Sequence, residues 1–355
     1  MNPNFWKNKT VLITGHTGFK GSWISIILKK FGANVIGFSK DIPTKPSMYE
    51  IANVKDGIKN IIGNINDYKH LKQVFDENKP EIVIHMAAQA IVRESYKNPL
   101  ETFSTNVMGT ANILDIVKNS NSVKVVIIVT SDKSYKKKTD YSKYSEEDPM
   151  GGYDPYSSSK GCAELITASY RSSFFNPEKF SEHQISIASV RAGNVIGGGD
   201  WGSDRLFPDI MRGIQNNSNI KIRNPKSTRP WQFILDPLFG YILLAEKMWD
   251  DGKKFSQGWN FGPTYNDEKS VSWIMEFIKN HTNKEINFEM ETSSQPHEEK
   301  YLRLDCTKAI SELGWKSKIS IEKTLMLTLK WYLAYIEGNN MKELSEKQID
   351  EFIAE

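Results

Sequence analysis

Short apolar runs rich in β-branched residues alternate with longer stretches of helical periodicity over the first 190 residues of the chain. The clearest run, 125–129, is apolar at every position. Strands covered by helices on both faces have this pattern, so it predicts βαβ units built on a parallel sheet. The predicted strands are 10–14, 34–38, 58–62, 82–85, 123–129 and 185–190, and the predicted helices between them are 18–31, 68–77, 100–119 and 155–175.

The alternation stops after Val190. A glycine-rich segment at 193–202 and a run of Pro, Arg and Trp at 225–231 interrupt it. We therefore predict an α/β protein with a doubly wound parallel-sheet domain at 1–190 and a smaller mixed α/β C-terminal lobe at 191–355. A return of a segment near 232–262 to the first domain is the alternative to this simple division. In this second part we predict helices at 237–249, 271–280, 307–313 and 321–337, a strand at 259–261 and a charged helical tail at 342–355.

Composition narrows the class of protein. The 355 residues are 39% hydrophobic and 25% charged, which is ordinary for a globular chain and excludes global disorder. No apolar run approaches the ~18 residues that cross a bilayer, and no signal-peptide pattern precedes strand 10–14, so we expect a soluble, cytoplasmic protein with no membrane partner. A formal net charge of +3 gives no reason to expect a nucleic-acid partner. Two cysteines, Cys162 and Cys306, are too few for a disulfide framework or a cysteine-rich zinc site, and we expect no metal.

Three glycines follow the first predicted strand. Gly15, Gly18 and Gly21 have the spacing GxxGxxG and lead into the first predicted helix. Glycines here permit a tight strand-to-helix turn, let the backbone approach a pyrophosphate, and let the helix pack closely on the sheet. Because the loop opens a βαβ series, dinucleotide binding by a Rossmann domain is favoured over a merely structural glycine-rich turn.

The end of the second predicted strand indicates which dinucleotide is bound. Asp41 lies 20 residues beyond Gly21, where a carboxylate can accept hydrogen bonds from both ribose hydroxyls of NAD and repel a 2′-phosphate. Lys40 could instead attract such a phosphate. The carboxylate favours NAD as the cofactor.

Tyr156 and Lys160 are four residues apart in the segment DPYSSSK, whose Asp-Pro opening is typical of a helix N-terminus. Residues at this spacing share one helix face, so the ammonium group can stabilise a phenolate. The tyrosine can then act as a base towards an alcohol that is losing hydride. An exposed helix turn is the alternative, but the preceding glycine loop favours the catalytic interpretation.

Ser131, Asp132 and Lys133 follow the fifth predicted strand and therefore lie at the carboxyl edge of the sheet, where such folds bind ligands. An alcohol dehydrogenase needs only the hydroxyl. An elimination needs an acid and a base as well: oxidation of a sugar at C4 acidifies the C5 proton, a base removes it, and an acid protonates the departing C6 hydroxyl. The hydride then returns to C6, so no cofactor is consumed. A solvated Asp-Lys pair in a loop is the alternative.

These motifs resemble those of the extended short-chain dehydrogenase/reductase superfamily of NAD-dependent epimerases and dehydratases and, within it, the CDP-glucose 4,6-dehydratase family. The resemblance covers almost the whole chain. The general motifs are the glycine loop, HMAAQ at 85–89, TNVMGT at 105–110, and Tyr156 with Lys160. The more specific ones are GHTGFKGSW at 15–23, GGYDPY at 151–156, RAGNVIGGGDW at 191–201 and RPWQ at 229–232.

The resemblance implies a function and a set of site residues. It implies an NAD-dependent hydro-lyase that converts CDP-glucose to CDP-4-keto-6-deoxyglucose and water, a step towards the dideoxy sugars of lipopolysaccharide O-antigen. Tyr156 would deprotonate the C4 hydroxyl, with Ser131 hydrogen-bonded there. Asn194, Arg205 and Arg229 would lie near the nucleotide diphosphate, although Arg205 could equally be a surface residue. With the glycine loop, the cofactor contacts would be Gly15, Thr17, Gly18, Phe19, Gly21, Asp41, Asn64, Ile65, Ala87, Ala88, Gln89, Asn106, Tyr156 and Lys160.

Two positions depart from related sequences. Lys133 stands where dTDP-glucose dehydratases have a glutamate base, so the C5 base is Lys133 or another group. Asn64 stands where the family usually has an aspartate near the adenine amine, and an amide oxygen could accept the same hydrogen bond.

Other functions remain open from the sequence. A nucleotide-sugar 4-epimerase would use the same tyrosine and lysine but would not need Asp132 and Lys133. A dehydratase for a different nucleotide-glucose and a non-catalytic NAD-binding protein are further alternatives. The superfamily also implies a homodimer, formed through the helices at 100–119 and 155–175.

Overall fold

In a computed structural model of the chain, a seven-stranded parallel sheet lies between layers of helices. The structure describes residues 1–140, 142–216, 218–222, 224–263, 268–282, 288–290 and 302–355. The strands within those ranges are β1 (Thr10–Thr14), β2 (Asn34–Ser39), β3 (Lys59–Ile62), β4 (Ile82–His85), β5 (Val125–Val129), β6 (Ser186–Ala192), β7 (Asn194–Ile196), β8 (Ile220–Ile222), β9 (Thr228–Phe233), β10 (Gly258–Phe261), β11 (Glu268–Ser270) and β12 (Phe288–Met290).

The helices differ widely in length, and the longest of them cover the sheet. They are α1 (Pro3–Trp6), α2 (Phe19–Lys30), α3 (Met48–Ile51), α4 (Tyr68–Asn78), α5 (Val92–Lys97), α6 (Pro99–Phe103), α7 (Gly109–Lys118), α8 (Pro155–Ser173), α9 (Phe180–His183), α10 (Leu206–Asn216), α11 (Leu235–Asp250), α12 (Gly252–Phe255), α13 (Val271–Asn280), α14 (Thr307–Leu313), α15 (Ile321–Ile336) and α16 (Met341–Ala354).

The strand order confirms the predicted fold class. The large sheet runs β10-β6-β5-β4-β1-β2-β3, and each neighbouring pair is parallel. The order reverses between β1 and β4, and in open α/β sheets ligands bind outside the carboxyl ends of the strands at such a switch point. The fold therefore places the ends of β1, β4 and β5 beside the expected ligand cleft.

Burial on both faces explains the continuous apolar runs. Along β5, Val125, Ile127 and Val129 belong to one buried hydrophobic cluster, while Val126 and Ile128 belong to a second one. Successive side chains of a strand point to opposite faces, so each face of the sheet has its own core. A polar residue in the middle of β5 would lie in one of these cores, which is why the functional side chains begin only at the strand's end.

The predicted helix at 100–119 is wrong in detail, because the structure divides it. A five-residue π-helical segment, Ser104–Met108, separates α6 from α7. Asn106 in this segment is 1% exposed and hydrogen-bonds to the backbone of Gln89, with Gln89 N 2.8 Å from Asn106 Oδ1. Widened turns of this kind often occur at functional sites. Here the turn holds an amide against the loop after β4.

The second part of the chain contributes to both the large sheet and smaller ones. Strand β10 pairs with β6 and forms one edge of the large sheet. The short strands β11, β9 and β7 form a second sheet, and β12 pairs with β8. The division into domains at residues 190 and 191 stays a prediction.

Among the described residues, no helix is both long and apolar enough to cross a membrane. The cytoplasmic location stays a prediction. The same residues contain no grouping of three or more His, Cys, Asp or Glu side chains arranged to hold a metal ion.

The packing of the edge strand β10 can be tested by substituting Trp259. Its side chain is fully buried, its ring stacks on Phe255 with centroids 5.9 Å apart, and its indole N–H donates to the Phe255 carbonyl at 3.1 Å. We expect Trp259→Ala to lower the free energy of unfolding by about 3–5 kcal/mol, measured by urea titration. The control is Ile310→Ala on exposed surface of α14, expected to change it by less than about 1 kcal/mol. Equal effects of the two variants would contradict the assigned packing of β10.

Candidate active site

A cavity of about 750 Å³ opens at the carboxyl edge of the large sheet. Its walls come from the glycine loop, the ends of β2, β4 and β5, the start of α8, and the second part of the chain between residues 192 and 231. Every residue that the sequence analysis assigned to the site lines this cavity except Asn106. The separate motifs of the sequence thus meet in one place.

The glycine loop forms the tight turn between β1 and α2. Gly15 has φ +78° and its N–H donates to the Phe38 carbonyl at 2.8 Å, so strand β2 fixes the turn. A Cβ atom on Gly15 would lie 2.7 Å from Ala87 N, and one on Gly21 would lie 2.0 Å from Gly15 O. Side chains at either position would therefore collide with backbone.

The N-terminus of α2 faces this cavity with no side-chain cap on its N–H groups, because Gly18 is the N-cap residue. Free N–H groups and the positive end of the helix dipole favour an anion. The loop, the cap and the space beside them fit the pyrophosphate of a dinucleotide.

The structure places Asp41 and Lys40 at the same cavity. The Thr17 hydroxyl donates to the backbone carbonyl of Asp41 at 2.6 Å, which ties the end of β2 to the glycine loop. Asp41 is exposed and lines the cavity. The ammonium of Lys40 lies 3.1 Å from the carboxylate of Glu101, which raises the pKa of Lys40 through a hydrogen bond and its charge. Since Lys40 is paired with Glu101, the geometry favours NAD over its 2′-phosphorylated form.

The loop after β4 is hydrogen-bonded to Thr14 and Asn106, which fix its backbone. Thr14 Oγ1 accepts the N–H of Ala87 at 3.2 Å, and Asn106 donates from Nδ2 to the carbonyl of Gln89 at 3.0 Å and to Ser159 Oγ at 2.8 Å. Asn106 therefore lies behind the cavity wall, where it joins the loop to α8. A direct contact of Asn106 with the cofactor stays a prediction, and the observed bonds give it a positioning role.

Asn64 is exposed at the cavity, but its amide oxygen is already engaged. Asn64 Oδ1 accepts the backbone N–H of Asn66 at 3.0 Å. A carbonyl oxygen has two lone pairs, so one remains for an adenine amine.

Tyr156 and Lys160 lie on one face of α8, whose first turn is capped by Asp154 through its bond to Ser157 N at 3.0 Å. Burial raises the pKa of Tyr156 to about 12, against a lowering hydrogen bond with Ser131. Burial also lowers the pKa of Lys160 to about 8, helped by the positive charge of Lys20. The Lys160 ammonium donates to the Val129 carbonyl at 3.2 Å. The pair is thus anchored at the end of β5.

Asp132 is a buried carboxyl group beside the tyrosine. It is 4% exposed, and burial raises its pKa, against the lowering effects of Lys133, Ser131, Lys20 and Arg229. Its Oδ1 accepts the Ser131 hydroxyl at 3.0 Å. Gly193 leaves room for it, because a Cβ there would lie 2.9 Å from Asp132 Oδ2. A raised pKa is the direction that a proton donor needs.

The arginines of the second part of the chain reach the same cavity. Arg205 is paired with Asp200 at 2.9 Å, and its charge also acts on Tyr156. Arg229 and Asn194 line the cavity, and the charge of Arg229 acts on Asp132. Contact of these three residues with a diphosphate stays a prediction.

Sequence reasoning missed Lys20. Its side chain lines the cavity, and burial together with the charge of Arg205 lowers its pKa to about 8, while Asp132 and Asp200 act in the opposite direction. A signal was present, since Lys20 stands in the first turn of the predicted helix just before a stretch, 21–28, that contains no other charged residue. Lys20 adds a cation whose charge acts on Asp132 and Lys160.

The chain is similar along almost its whole length to known nucleotide-sugar dehydratases and epimerases. A CDP-glucose 4,6-dehydratase of Salmonella typhimurium is 48% identical over 354 residues, covering 100% of this chain and 99% of its own length. A solved dTDP-glucose 4,6-dehydratase of Bacillus anthracis in complex with NAD superposes with a TM-score of 0.74 at 22% identity, covering 95% of this chain and 99% of that one. A UDP-glucose 4-epimerase of Thermotoga maritima, solved with UDP-glucose, superposes with a TM-score of 0.76 at 21% identity, covering 92% of this chain and 99% of that one.

The family model described as GDP-mannose 4,6 dehydratase matches residues 12–328. That span runs from β1 into α15 and includes every residue placed at the cavity above. The chain therefore belongs to the GDP-mannose 4,6 dehydratase family, within the extended short-chain dehydrogenase/reductase superfamily.

Proposed function

We propose that the protein is an NAD-dependent CDP-glucose 4,6-dehydratase that converts CDP-glucose to CDP-4-keto-6-deoxyglucose and water. The observation that carries the proposal is the joining of a buried acid, Asp132, with Ser131 and Tyr156 in one cavity beside a dinucleotide-binding loop. The 48% identity to a curated CDP-glucose 4,6-dehydratase supports the choice of nucleotide.

The cofactor site consists of the glycine loop, Asp41, the loop after β4, and Lys160. NAD bound there would supply a hydride acceptor for C4 of the sugar and a hydride donor for C6. The α2 N-terminus and the glycine turn would hold its pyrophosphate, and Asp41 would accept hydrogen bonds from its ribose hydroxyls.

Tyr156 removes the proton of the C4 hydroxyl as that carbon is oxidised. Its phenol needs help, because burial raises its pKa to about 12. Ser131 supplies a hydrogen bond that favours the phenolate when its hydroxyl turns from Asp132 Oδ1 to the tyrosine, and the positive charge of Arg205 acts in the same direction. The Lys160 ammonium lies on the same helix face as the phenol. Removing water from the cavity strengthens these interactions.

Asp132 and Lys133 carry the elimination. The C5 proton, acidified by the new C4 ketone, passes to a base, for which Lys133 in its uncharged form is the candidate, while Asp132 in its protonated form gives its proton to the departing C6 hydroxyl, which leaves as water. Burial raises the pKa of Asp132, which is the direction that this step needs.

The second part of the chain holds the nucleotide. Arg205 and Arg229 bind the diphosphate with Asn194, since a guanidinium group can pair two phosphate oxygens at once. Because Arg205 is paired with Asp200, a phosphate would compete with that carboxylate for the guanidinium group. The product is suited to the synthesis of dideoxy sugars for lipopolysaccharide O-antigen.

A 4-epimerase is the second candidate, because solved epimerases share the fold. An epimerase returns hydride to C4 and has no use for an acid at C6. The buried Asp132 therefore favours the dehydratase.

The first test compares four substrates. With NAD and CDP-, dTDP-, UDP- or GDP-glucose supplied separately, we expect CDP-glucose to give a 4-keto product with the largest kcat/KM and no net reduction of NAD. The 4-keto product is measured by its absorbance in alkali and by mass spectrometry. Interconversion of UDP-glucose and UDP-galactose with CDP-glucose unchanged would favour the epimerase instead.

The second test removes the base. Tyr156→Phe deletes only the phenol oxygen, so we expect kcat to fall by roughly 10²-fold or more while the Kd for NAD changes less than about threefold. Tyr170→Phe, at a tyrosine of the same helix that does not line the cavity, is the matched control and keeps most of the activity. Loss of NAD binding in Tyr156→Phe would mean that the tyrosine supports the cofactor rather than the chemistry.

We also propose a homodimer. Leu100, Met108 and Leu165 are 84%, 54% and 59% exposed, and they lie on α6, the π-helical segment and α8, which contact one another. Large exposed apolar side chains grouped in this way are typical of an interface. A second copy of the same chain would cover them by packing the same helices together.

The proposed dimer interface can be tested by placing charged side chains in it. Sedimentation should show a dimer for the wild type and a shift to monomer for the double variant Met108→Glu/Leu165→Glu, because the glutamates would be buried in the interface. Ile310→Glu, at an equally exposed apolar residue on α14, is the control and should remain dimeric. A monomeric wild type would exclude the proposed interface.

A further inference from the structure

A buried ion pair lies behind the active site and takes no part in the proposed chemistry. Arg191 on β6 and Glu164 on α8 are 5% and 4% exposed. Two parallel bonds join them, with Arg191 Nε 2.8 Å from Glu164 Oε1 and Arg191 Nη2 2.7 Å from Glu164 Oε2. Neither residue lines the cavity.

The two ends of the segment that carries the acid and the base are bonded to this pair. At one end, the Thr130 hydroxyl donates to Glu164 Oε1 at 2.5 Å. At the other end, the Tyr135 hydroxyl accepts from Arg191 Nη1 at 2.6 Å and donates to Asn260 Oδ1 at 2.7 Å. The four residues between these ends, 131–134, include Ser131, Asp132 and Lys133.

The same ion pair is also connected to α8, the helix that carries Tyr156. Glu164 lies one turn of α8 beyond Lys160 and two turns beyond Tyr156. Its negative charge acts on Lys160 and raises the pKa of that lysine against the lowering effect of burial. One ion pair thus connects the two halves of the catalytic group, which come from different parts of the chain.

Stability alone is a weak reason for such a pair, since a buried ion pair often contributes no more than well-packed apolar residues of the same size. A bidentate pair fixes angles as well as distances. Misplacement of a reacting group by about 1 Å can cost 10²-fold in rate. Fixed geometry is therefore what this arrangement supplies to the segment between Thr130 and Tyr135.

We infer that the Arg191–Glu164 pair, acting through Thr130 and Tyr135, is a positioning unit that holds Asp132 and Lys133 against the substrate for the elimination. The inference rests on the proposed dehydratase function. It predicts that loosening the unit slows elimination more than oxidation at C4, because both groups of the elimination, Asp132 and Lys133, lie on the segment, whereas the oxidation depends on it only through Ser131.

Tyr135→Phe is the test variant. It keeps the ring that stacks on Tyr144, with centroids 4.9 Å apart and planes at 18°, and removes only the hydroxyl that Arg191 and Asn260 share. We expect kcat to fall roughly tenfold or more, with KM and the NAD Kd within about threefold of wild type. In a single turnover, reduced nicotinamide and a 4-keto-glucose nucleotide should accumulate, measured by absorbance and by quenched-flow mass spectrometry.

Tyr144→Phe is the matched control. Tyr144 is the other member of the stacked pair and belongs to the same loop. Its hydroxyl accepts the Lys138 N–H at 3.0 Å and, within the described part of the chain, makes no bond to Arg191 or Glu164. We expect wild-type kcat from this variant. Thr130→Val loosens the opposite end of the segment and should reproduce the accumulation seen with Tyr135→Phe, which keeps the test valid if one variant folds poorly.

Each other outcome counts against the inference. Equal kcat values for Tyr135→Phe and Tyr144→Phe would overturn it. A fall in the kcat of Tyr135→Phe accompanied by losses of NAD affinity and of melting temperature would also overturn it, because that result indicates general loosening of the structure. A fall in kcat without accumulation of reduced nicotinamide would overturn it for the same reason. The wild-type enzyme assayed in parallel distinguishes failure of this inference from failure of the proposed function. If the wild-type enzyme leaves CDP-glucose unchanged, the proposed function fails and this inference fails with it.

Discussion

Burial of the parallel sheet on both faces is the constraint from which the site follows. Strands β1, β4 and β5 have no exposed face on which to place a polar group, and their side chains divide between two hydrophobic cores. Functional side chains therefore occur where the strands end, and the reversal of strand order between β1 and β4 leaves a cleft at that edge. The glycine loop, the loop after β4 and Ser131 with its neighbours all meet there.

Charge is distributed around one buried acid. Asp132 has lost most of its contact with water, which raises its pKa, while Lys133, Lys20 and Arg229 act in the opposite direction. The same desolvation lowers the pKa of Lys20 and Lys160 to about 8 and raises that of Tyr156 to about 12. Burial thus moves the pKa values of Asp132, Lys20 and Lys160 towards neutral pH.

The sequence predicted what short-range patterns encode. The glycine loop, the i,i+4 pair of Tyr156 and Lys160, and the strand that ends at Ser131 are local features, and all of them line the cavity. Asn106 was harder to place, because a π-helical segment turns its amide onto the backbone of Gln89. The Arg191–Glu164 pair was not predicted, since its partners come from β6 and α8 and only the assembled sheet brings them together. The hydrophobic periodicity of a sequence indicates which residues are buried, but it does not indicate which charged residue pairs with a buried charge.

In the proposed reaction, one hydride leaves C4 and returns to C6 of the same sugar after water is lost. CDP-glucose labelled with deuterium at C4 tests this directly when it is converted in ordinary water and the product is examined by NMR and mass spectrometry. The expected result is a 4-keto-6-deoxy product with the deuterium in its C6 methyl group. A hexose that keeps all its oxygens and carries the deuterium at C4 with inverted configuration would contradict it.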